Sequence, residues 1–174
     1  MRGPPTLPLS TICDTGQRTM KFLEDNEIAQ WAEERGLPRG CGFDIKLPDL
    51  ESRRTREYAH GRRSGLEPAA ARDLIRDLGA WDECLVWITL WGVWPSGEDW
   101  PGFYAWRGVQ GERRDLHTAP GHLFELTETL LTELIELVMK NAWDADVLCS
   151  RCGRADGLRA KISHDEWYEI ISGR

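Results

Sequence analysis

Two histidines and two carboxylates are the side chains of this sequence best suited to general acid–base chemistry. His117 and His122 flank a Thr-Ala-Pro-Gly segment just before a long apolar stretch, and Glu98 and Asp99 lie in an earlier turn-forming segment. A histidine can accept or donate a proton near neutral pH, and a nearby carboxylate can act with it. If the four side chains converge, they predict a small enzyme pocket of unknown substrate. The alternative is that both histidines are loop residues bonded to backbone carbonyls.

The spacing of Cys149 and Cys152 is that of two thiolates that bind one zinc ion. A complete site needs four ligands, and the sequence contains no second Cys-x-x-Cys pair; His164 is the nearest candidate along the chain. A redox role would require the pair at the start of a helix, whereas here it follows a predicted strand. We therefore expect no bound metal and no cofactor, with zinc as the alternative. Five irregularly spaced cysteines also predict free thiols.

The segment Ser163-His164-Asp165-Glu166 contains a hydroxyl, an imidazole and two carboxylates in succession. Successive residues of a helix point in different directions, so these neighbours cannot form a catalytic relay. Ser163 and Glu166 instead have the spacing of a capping box. We therefore predict a final helix that begins here and buries Trp167, Ile170 and Ile171.

Six of the nine tryptophans lie between positions 81 and 106. Residues 84–93 form an almost unbroken apolar run, which predicts a strand covered on both faces at the centre of a sheet. Trp94 and Trp100 flank the turn that follows, beside Glu98 and Asp99. Exposed indoles with an acidic rim are typical of a partner-binding patch, which is our prediction for these four residues. The alternative is that the indoles close the open end of the core.

Residues 51–63 are the one basic stretch, and they could bind phosphate or an acidic partner. The alternative is a solvated connector whose arginines pair with the acidic surface of this same protein. The arginines concerned are Arg53, Arg54, Arg56, Arg62 and Arg63.

The elements that must position these groups follow from the apolar periodicity. We predict helices at 22–35, 64–79, 99–108, 123–142 and from 163 onward, with an irregular loop at 112–122. A second strand is the alternative for the segment at 99–108. Strands are predicted at 43–47, 84–93, 145–149 and 158–162, the last two forming a hairpin. The expected fold is α+β, with a small mixed or antiparallel sheet of three to five strands packed against four or five helices.

The length of 174 residues fits one domain, which we place at 20–174. Residues 1–19 read as a flexible leader, and Met20 is an alternative start. No apolar run is long enough to span a membrane and no secretory signal is evident, so we expect a cytoplasmic protein.

The formal net charge of −7 disfavours binding to nucleic acid or to an anionic membrane. No glycine-rich phosphate loop or nucleophile elbow is present, so the sequence leans away from an enzyme. We predict a small acidic protein-binding module, comparable in composition to bacterial inhibitor or immunity proteins that occlude a basic toxin. The alternatives are the His/carboxylate enzyme and, more weakly, nucleic-acid contact through the arginines.

Overall fold

A seven-stranded antiparallel sheet is the frame of the molecule. The computed structural model describes residues 20–37, 52–58, 65–150 and 158–172. The sheet has the order β1-β4-β3-β5-β6-β7-β2. The prediction of three to five strands is therefore wrong in number, although the α+β class holds. The strands are β1 (Met20–Leu23), β2 (Ser52–Glu57), β3 (Glu83–Leu90), β4 (Gly121–Glu125), β5 (Asp144–Cys149), β6 (Leu158–Ser163) and β7 (Trp167–Ser172).

Four helices accompany the sheet in the described residues: α1 (Asp25–Glu34), α2 (Glu67–Leu78), α3 (Trp100–Val109) and α4 (Glu128–Lys140). Each was predicted, because each has an apolar stripe at helical spacing. The predicted stop after α1 is also confirmed. Gly36 has φ 75°, and the amide of Leu37 donates to the carbonyl of Ala32, which is the hydrogen bond of a left-handed helix cap.

The strand β3 is an interior strand, third of the seven in the sheet, and it separates two apolar layers. Val86 and Ile88 face the layer that contains α2, α3 and α4, whereas Leu85 and Trp87 face the layer that contains α1. All four side chains are buried. The prediction of a strand covered on both faces is confirmed for residues 84–88, because alternate side chains of a strand point to opposite faces of the sheet. The predicted end at 93 is wrong, since the strand ends at Leu90 and its last two residues are exposed.

The predicted final helix is wrong, because residues 167–172 form β7. Ser163 and Glu166 do satisfy backbone groups locally, but they do so in a turn: the amide of Glu166 donates to the carbonyl of Ser163 at 3.1 Å, and Glu166 has φ 66°. The amide of Asp165 donates to the Ser163 hydroxyl at 3.3 Å. The hydroxyl of Ser163 thus accepts a backbone amide hydrogen as it would at a helix start, but here it does so in the turn of the β6–β7 hairpin.

Three further strands depart from the expected pattern. The basic stretch contains β2, which pairs with β7 along its whole length and is not a connector. The predicted helix at 22–35 begins later, at Asp25, because β1 contains its first residues. The predicted helix at 123–142 begins at Glu128, because β4 contains its first residues and also the end of the predicted loop. The predicted strand at 43–47 and the leader at 1–19 lie outside the described residues. No helix in the described ranges has both the length and the apolar composition needed to cross a lipid bilayer.

Candidate functional site

His122 lies in the core and not in an open site. It projects from β4 into the layer of α3, where its ring centroid is 5.3 Å from that of Phe22 and 6.1 Å from that of Phe103. The side chain is fully buried. Its Nδ1 lies 3.1 Å from the carbonyl oxygen of Pro120, and since a carbonyl only accepts, Nδ1 carries the hydrogen. Burial, followed by the positive charge of Arg107, lowers the pKa of His122 to about 3.

Arg107 is the charged neighbour of His122 and is itself fully buried. Its guanidinium stacks over the rings of Phe22 and Phe103, at 5.1 and 5.6 Å from their centroids. Nη2 donates to the carbonyl of Ala119 at 3.1 Å, whereas Nε and Nη1 have no hydrogen-bond partner among the described residues. Arg107 thus joins α3 to the segment before β4. Cation–π contacts offset part of the cost of burying its charge.

His117 occupies a different place, a surface pocket at the end of β3. The pocket has a volume of about 250 Å³ and is also lined by Asp25, Trp87 and Trp91. The ring centroids of His117 and Trp91 are 4.9 Å apart, in an edge-to-face arrangement. A carboxylate does accompany this histidine, but it comes from the first residue of α1.

Glu98 and Asp99 are engaged at the start of α3. Asp99 is the N-cap residue, and its Oδ1 accepts the amide hydrogen of Gly102 at 3.0 Å. Its Oδ2 lies 3.3 Å from Nζ of Lys140. Glu98 turns back, so that Oε1 accepts the amide of Trp94 at 3.2 Å. The four side chains predicted to form an enzyme pocket therefore have separate surroundings: His122 is in the core, His117 lines the pocket beside Asp25, and the two carboxylates hold the α3 start.

The predicted partner patch is divided in the same way. Trp94 is 41% exposed. Trp100 instead joins an aromatic cluster, with its ring centroid 4.8 Å from that of Trp143 and 5.8 Å from that of Tyr104. Of the two predicted indoles, Trp94 is the one that presents a large surface to solvent.

The outward side of α3 is uncharged. Five exposed residues recur there at helical spacing and form what we call the α3 stripe: Pro101, Tyr104, Ala105, Gly108 and Val109. Val109 is 82% exposed and Tyr104 is 39% exposed. The one charged side chain of this helix, Arg107, points inward. A helix on a protein surface normally has the opposite arrangement, with its charges outside.

The arginines of the basic stretch do not form one patch on β2. By the pairing with β7, Arg54 and Arg56 lie on the face of α2, and Arg53 lies on the opposite face. Arg56 Nη2 is 3.0 Å from Oδ2 of Asp77, and Arg53 Nη1 is 3.5 Å from Oε2 of Glu169. These contacts favour pairing with the protein's own acidic surface. Arg62 and Arg63 lie outside the described residues.

Of the candidate metal ligands, Cys149 and His164 lie in the described residues, and they are far apart. Cys149 is buried at the end of β5, and Cys152 lies outside the described residues. His164 sits at the other end of β5, where its Nδ1 is 2.8 Å from Oδ1 of Asp144. Five residue steps along a strand span about 17 Å, so His164 and Cys149 cannot share one ion. The described ranges contain no group of three or more metal-binding side chains.

Sequence reasoning missed the residues that the structure makes conspicuous. In the sequence, Asp25 is one of several acidic residues between positions 24 and 34, and nothing in the pattern around Arg107 sets it apart. A signal for the α3 stripe was present, because residues 100–109 contain a single charge. Which side of the helix faces inward depends on the sheet and cannot be read from these ten residues.

Comparison of the chain with protein-family models, with curated protein sequences and with solved structures gives no significant match.

Proposed function

We propose that this protein is a protein-binding module whose contact surface is the α3 stripe together with Trp94. The observation that carries the proposal is the uncharged outward side of α3: its five exposed residues carry no charge, whereas the one charged side chain of the helix, Arg107, is buried together with Phe103. An uncharged helix face is costly to leave in water unless another molecule covers it. Covering it with a partner removes that cost.

The composition of the α3 stripe suits a partner that approaches closely. Ala105 and Gly108 have little or no side chain, so a partner element can pack near the helix backbone, between Tyr104 on one side and Val109 on the other. Aromatic residues such as Trp94 and Tyr104 are the side chains that most often contribute strongly to binding. Trp94 lies in the turn directly before α3 and extends the apolar surface.

The preferred partner is a basic protein. The chain has a formal net charge of −7, and Glu133 lies beside α3, where it accepts a hydrogen bond from Trp106 Nε1 at 2.9 Å. A negative field accelerates encounter with a positively charged partner. An inhibitor or immunity-like role in the cytoplasm, in which the module occludes a basic protein, is the specific form that we propose. The described residues support this role better than the enzyme, because the four predicted acid–base groups have separate surroundings.

The test is photocrosslinking in the native host, with the photoreactive residue at position 109 and, as a control, at position 129 on α4. We expect a discrete crosslinked protein from position 109 only. The purified partner should then bind the wild-type chain and lose affinity by about tenfold or more in Ala105→Glu, because a buried carboxylate must be desolvated.

The matched control is Ala69→Glu, an identical change at an exposed position of α2. It should leave the affinity unchanged. Equal loss of affinity in Ala69→Glu and Ala105→Glu, or crosslinking from position 129 alone, would overturn the proposal.

A further inference from the structure

The pocket at the end of β3 is built from three separate parts of the chain. Trp87, Thr89 and Trp91 come from β3 and the residues after it, His117 and Pro120 come from the segment before β4, and Asp25 is the first residue of α1. Its volume of about 250 Å³ is below the range of roughly 300–1,000 Å³ typical of sites for drug-sized ligands. The pocket therefore has the size for a single chemical group.

The walls of the pocket are held in place by hydrogen bonds. The amide of Ile88 donates to the carbonyl of Pro120 at 3.2 Å, which joins β3 to the segment that carries His117. Within that segment, Asp115 Oδ1 accepts the amide of Thr118 at 2.7 Å and its hydroxyl at 2.9 Å. The edge-to-face contact between His117 and Trp91 is thus made by two anchored segments, so the aromatic wall exists before any ligand binds.

Asp25 supplies the negative charge of the pocket. At the start of α1, the carboxylate that accepts the amide hydrogen of Glu24 is that of Glu27, at 2.8 Å. Asp25 therefore does not make this capping bond. Among the described residues, no hydrogen bond or ion pair to the carboxylate of Asp25 is formed. Partial burial raises the pKa of Asp25, because the charged form loses part of its contact with water.

The chemistry of these walls selects the ligand. No lysine or arginine lines the pocket among the described residues, so an anion finds no counter-charge there. One carboxylate and one imidazole are too few to hold a metal ion. Two indoles and one carboxylate line the pocket. Aromatic rings beside a carboxylate are a combination that binds ammonium and guanidinium groups, because the π-system of an indole and a carboxylate both attract positive charge.

We propose that this pocket binds an organic cation, with Asp25 as its counter-ion and the indoles of Trp87 and Trp91 as its walls. The cation is an ammonium or guanidinium group, carried either by a free small molecule or by a lysine or arginine side chain of another protein. This site is separate from the α3 stripe, and it rests on the geometry of the pocket alone.

The first experiment compares choline with dimethylbutanol, its uncharged isostere in which carbon replaces nitrogen, by NMR of the indole Nε1–H signals. The signals of Trp87 and Trp91 are assigned with tryptophan-to-phenylalanine variants. We expect choline to shift both signals and to bind about tenfold more tightly than the alcohol. Equal binding of the two probes, or no binding of choline, would overturn the proposal.

The second experiment tests the counter-ion. Asp25→Asn is isosteric and should weaken choline binding by about tenfold, because the charge pair is lost. Glu33→Gln removes the same charge from an exposed site about 12 Å further along α1 and should leave binding unchanged. Trp91→Leu, which keeps Asp25, should also weaken binding. If Asp25→Asn and Glu33→Gln bind choline equally, Asp25 is not the counter-ion and the proposal fails.

The third experiment distinguishes the two sources of the cation. A glycine-serine peptide with one trimethyllysine or one arginine is titrated in the same way. Affinity equal to that of choline assigns the pocket to a free small cation. Binding about tenfold tighter than choline assigns it to a side chain of a partner protein, since flanking backbone then contributes.

Discussion

The side chain of Ile28 on α1 occupies the space in which a side chain at Gly121 of β4 would lie. A Cβ built on Gly121 would meet Cδ1 and Cγ1 of Ile28 at 2.8 Å. Gly121 is paired with Leu23 of β1 and with Trp87 of β3. The missing side chain therefore lets α1 approach the sheet closely where three strands lie side by side.

Gly121→Ala should destabilise the protein by about 1–3 kcal/mol, because the added methyl group overpacks this contact. Urea unfolding followed by circular dichroism measures the effect. In an Ile28→Ala background the two Ile28 contacts are removed and only the Cβ of Leu23, at 3.0 Å, remains close, so the same change should cost less. Additive effects of the two changes would show that Ile28 is not the obstacle.

The substitution Gly102→Ala should destabilise the wild-type chain but stabilise a chain in which Asp99 is replaced by alanine. A Cβ at position 102 would lie 2.8 Å from the carboxyl carbon of Asp99, which now accepts the amide hydrogen of Gly102. In the wild-type chain the substitution should cost about 1 kcal/mol through loss of this cap. In the Asp99→Ala background the cap is already absent, and alanine should stabilise the helix by about 0.8 kcal/mol relative to glycine. Thermal or denaturant unfolding of the four chains completes the cycle, and a destabilising effect in both backgrounds would contradict it.

His122 should make the protein less stable in mild acid. Its pKa in the folded chain is about 3, below the ordinary value of 6.5, so the unfolded chain binds the proton first as the pH falls. The contribution of neutral His122 to the free energy of unfolding is complete above pH 6.5. It is lost progressively as the pH falls from 6.5 to 3. From pH 7.5 to pH 5 this single group should remove about 2 kcal/mol from the free energy of unfolding.

His122→Asn provides the control for this pH dependence. Its amide can still donate toward the carbonyl of Pro120 but does not titrate. The free energies of unfolding at pH 7.5 and pH 5 should therefore differ less in the variant than in the wild-type chain, by the same 2 kcal/mol or so. An identical acid loss in both chains would assign it to other groups.

Arg107→Lys should be more damaging than Arg107→Met, although lysine keeps the charge. The guanidinium stacks on Phe22 and Phe103 and donates to Ala119, whereas an ammonium is more strongly hydrated and cannot stack as a plane. Methionine removes the buried charge and fills a similar volume, and replacing a buried charge with an apolar side chain is often tolerated. We expect Arg107→Lys to lose about 3 kcal/mol and Arg107→Met about half of that in urea unfolding. The reverse order would mean that the charge itself stabilises this site.

Four helices and the strands β3, β5 and β6 could be predicted because their signals are local. The apolar stripe of α4 and the continuous apolar run of β3 are visible within ten to fifteen residues of chain. The strands that were missed are those whose conformation depends on a partner. The described side chains of β2 from Arg53 to Glu57 are all exposed, so its extended form comes from pairing with β7 rather than from burial.

The sequence predicts a helix at the position of β7 because the residues just before this strand carry a genuine capping signal. Ser163 and Glu166 can satisfy backbone groups in a helix start or in a turn, and the local chemistry does not distinguish them. The pairing of β7 with both β6 and β2 decides between the two. Similarly, β4 is five residues long and precedes the apolar pattern of α4, so the two were read as one helix.

The candidate sites show the same limit. The sequence by itself determined the chemical types: two histidines before a long helix, a tryptophan-rich segment with a buried first part, and an acidic chain. Only the tertiary structure decided that His122 faces the core beside Arg107, that His117 joins Asp25 in a pocket, and that α3 turns its uncharged side to solvent. The physical reason is that periodicity identifies which residues share a face of an element, whereas the direction of that face is set by contacts between residues distant in the chain.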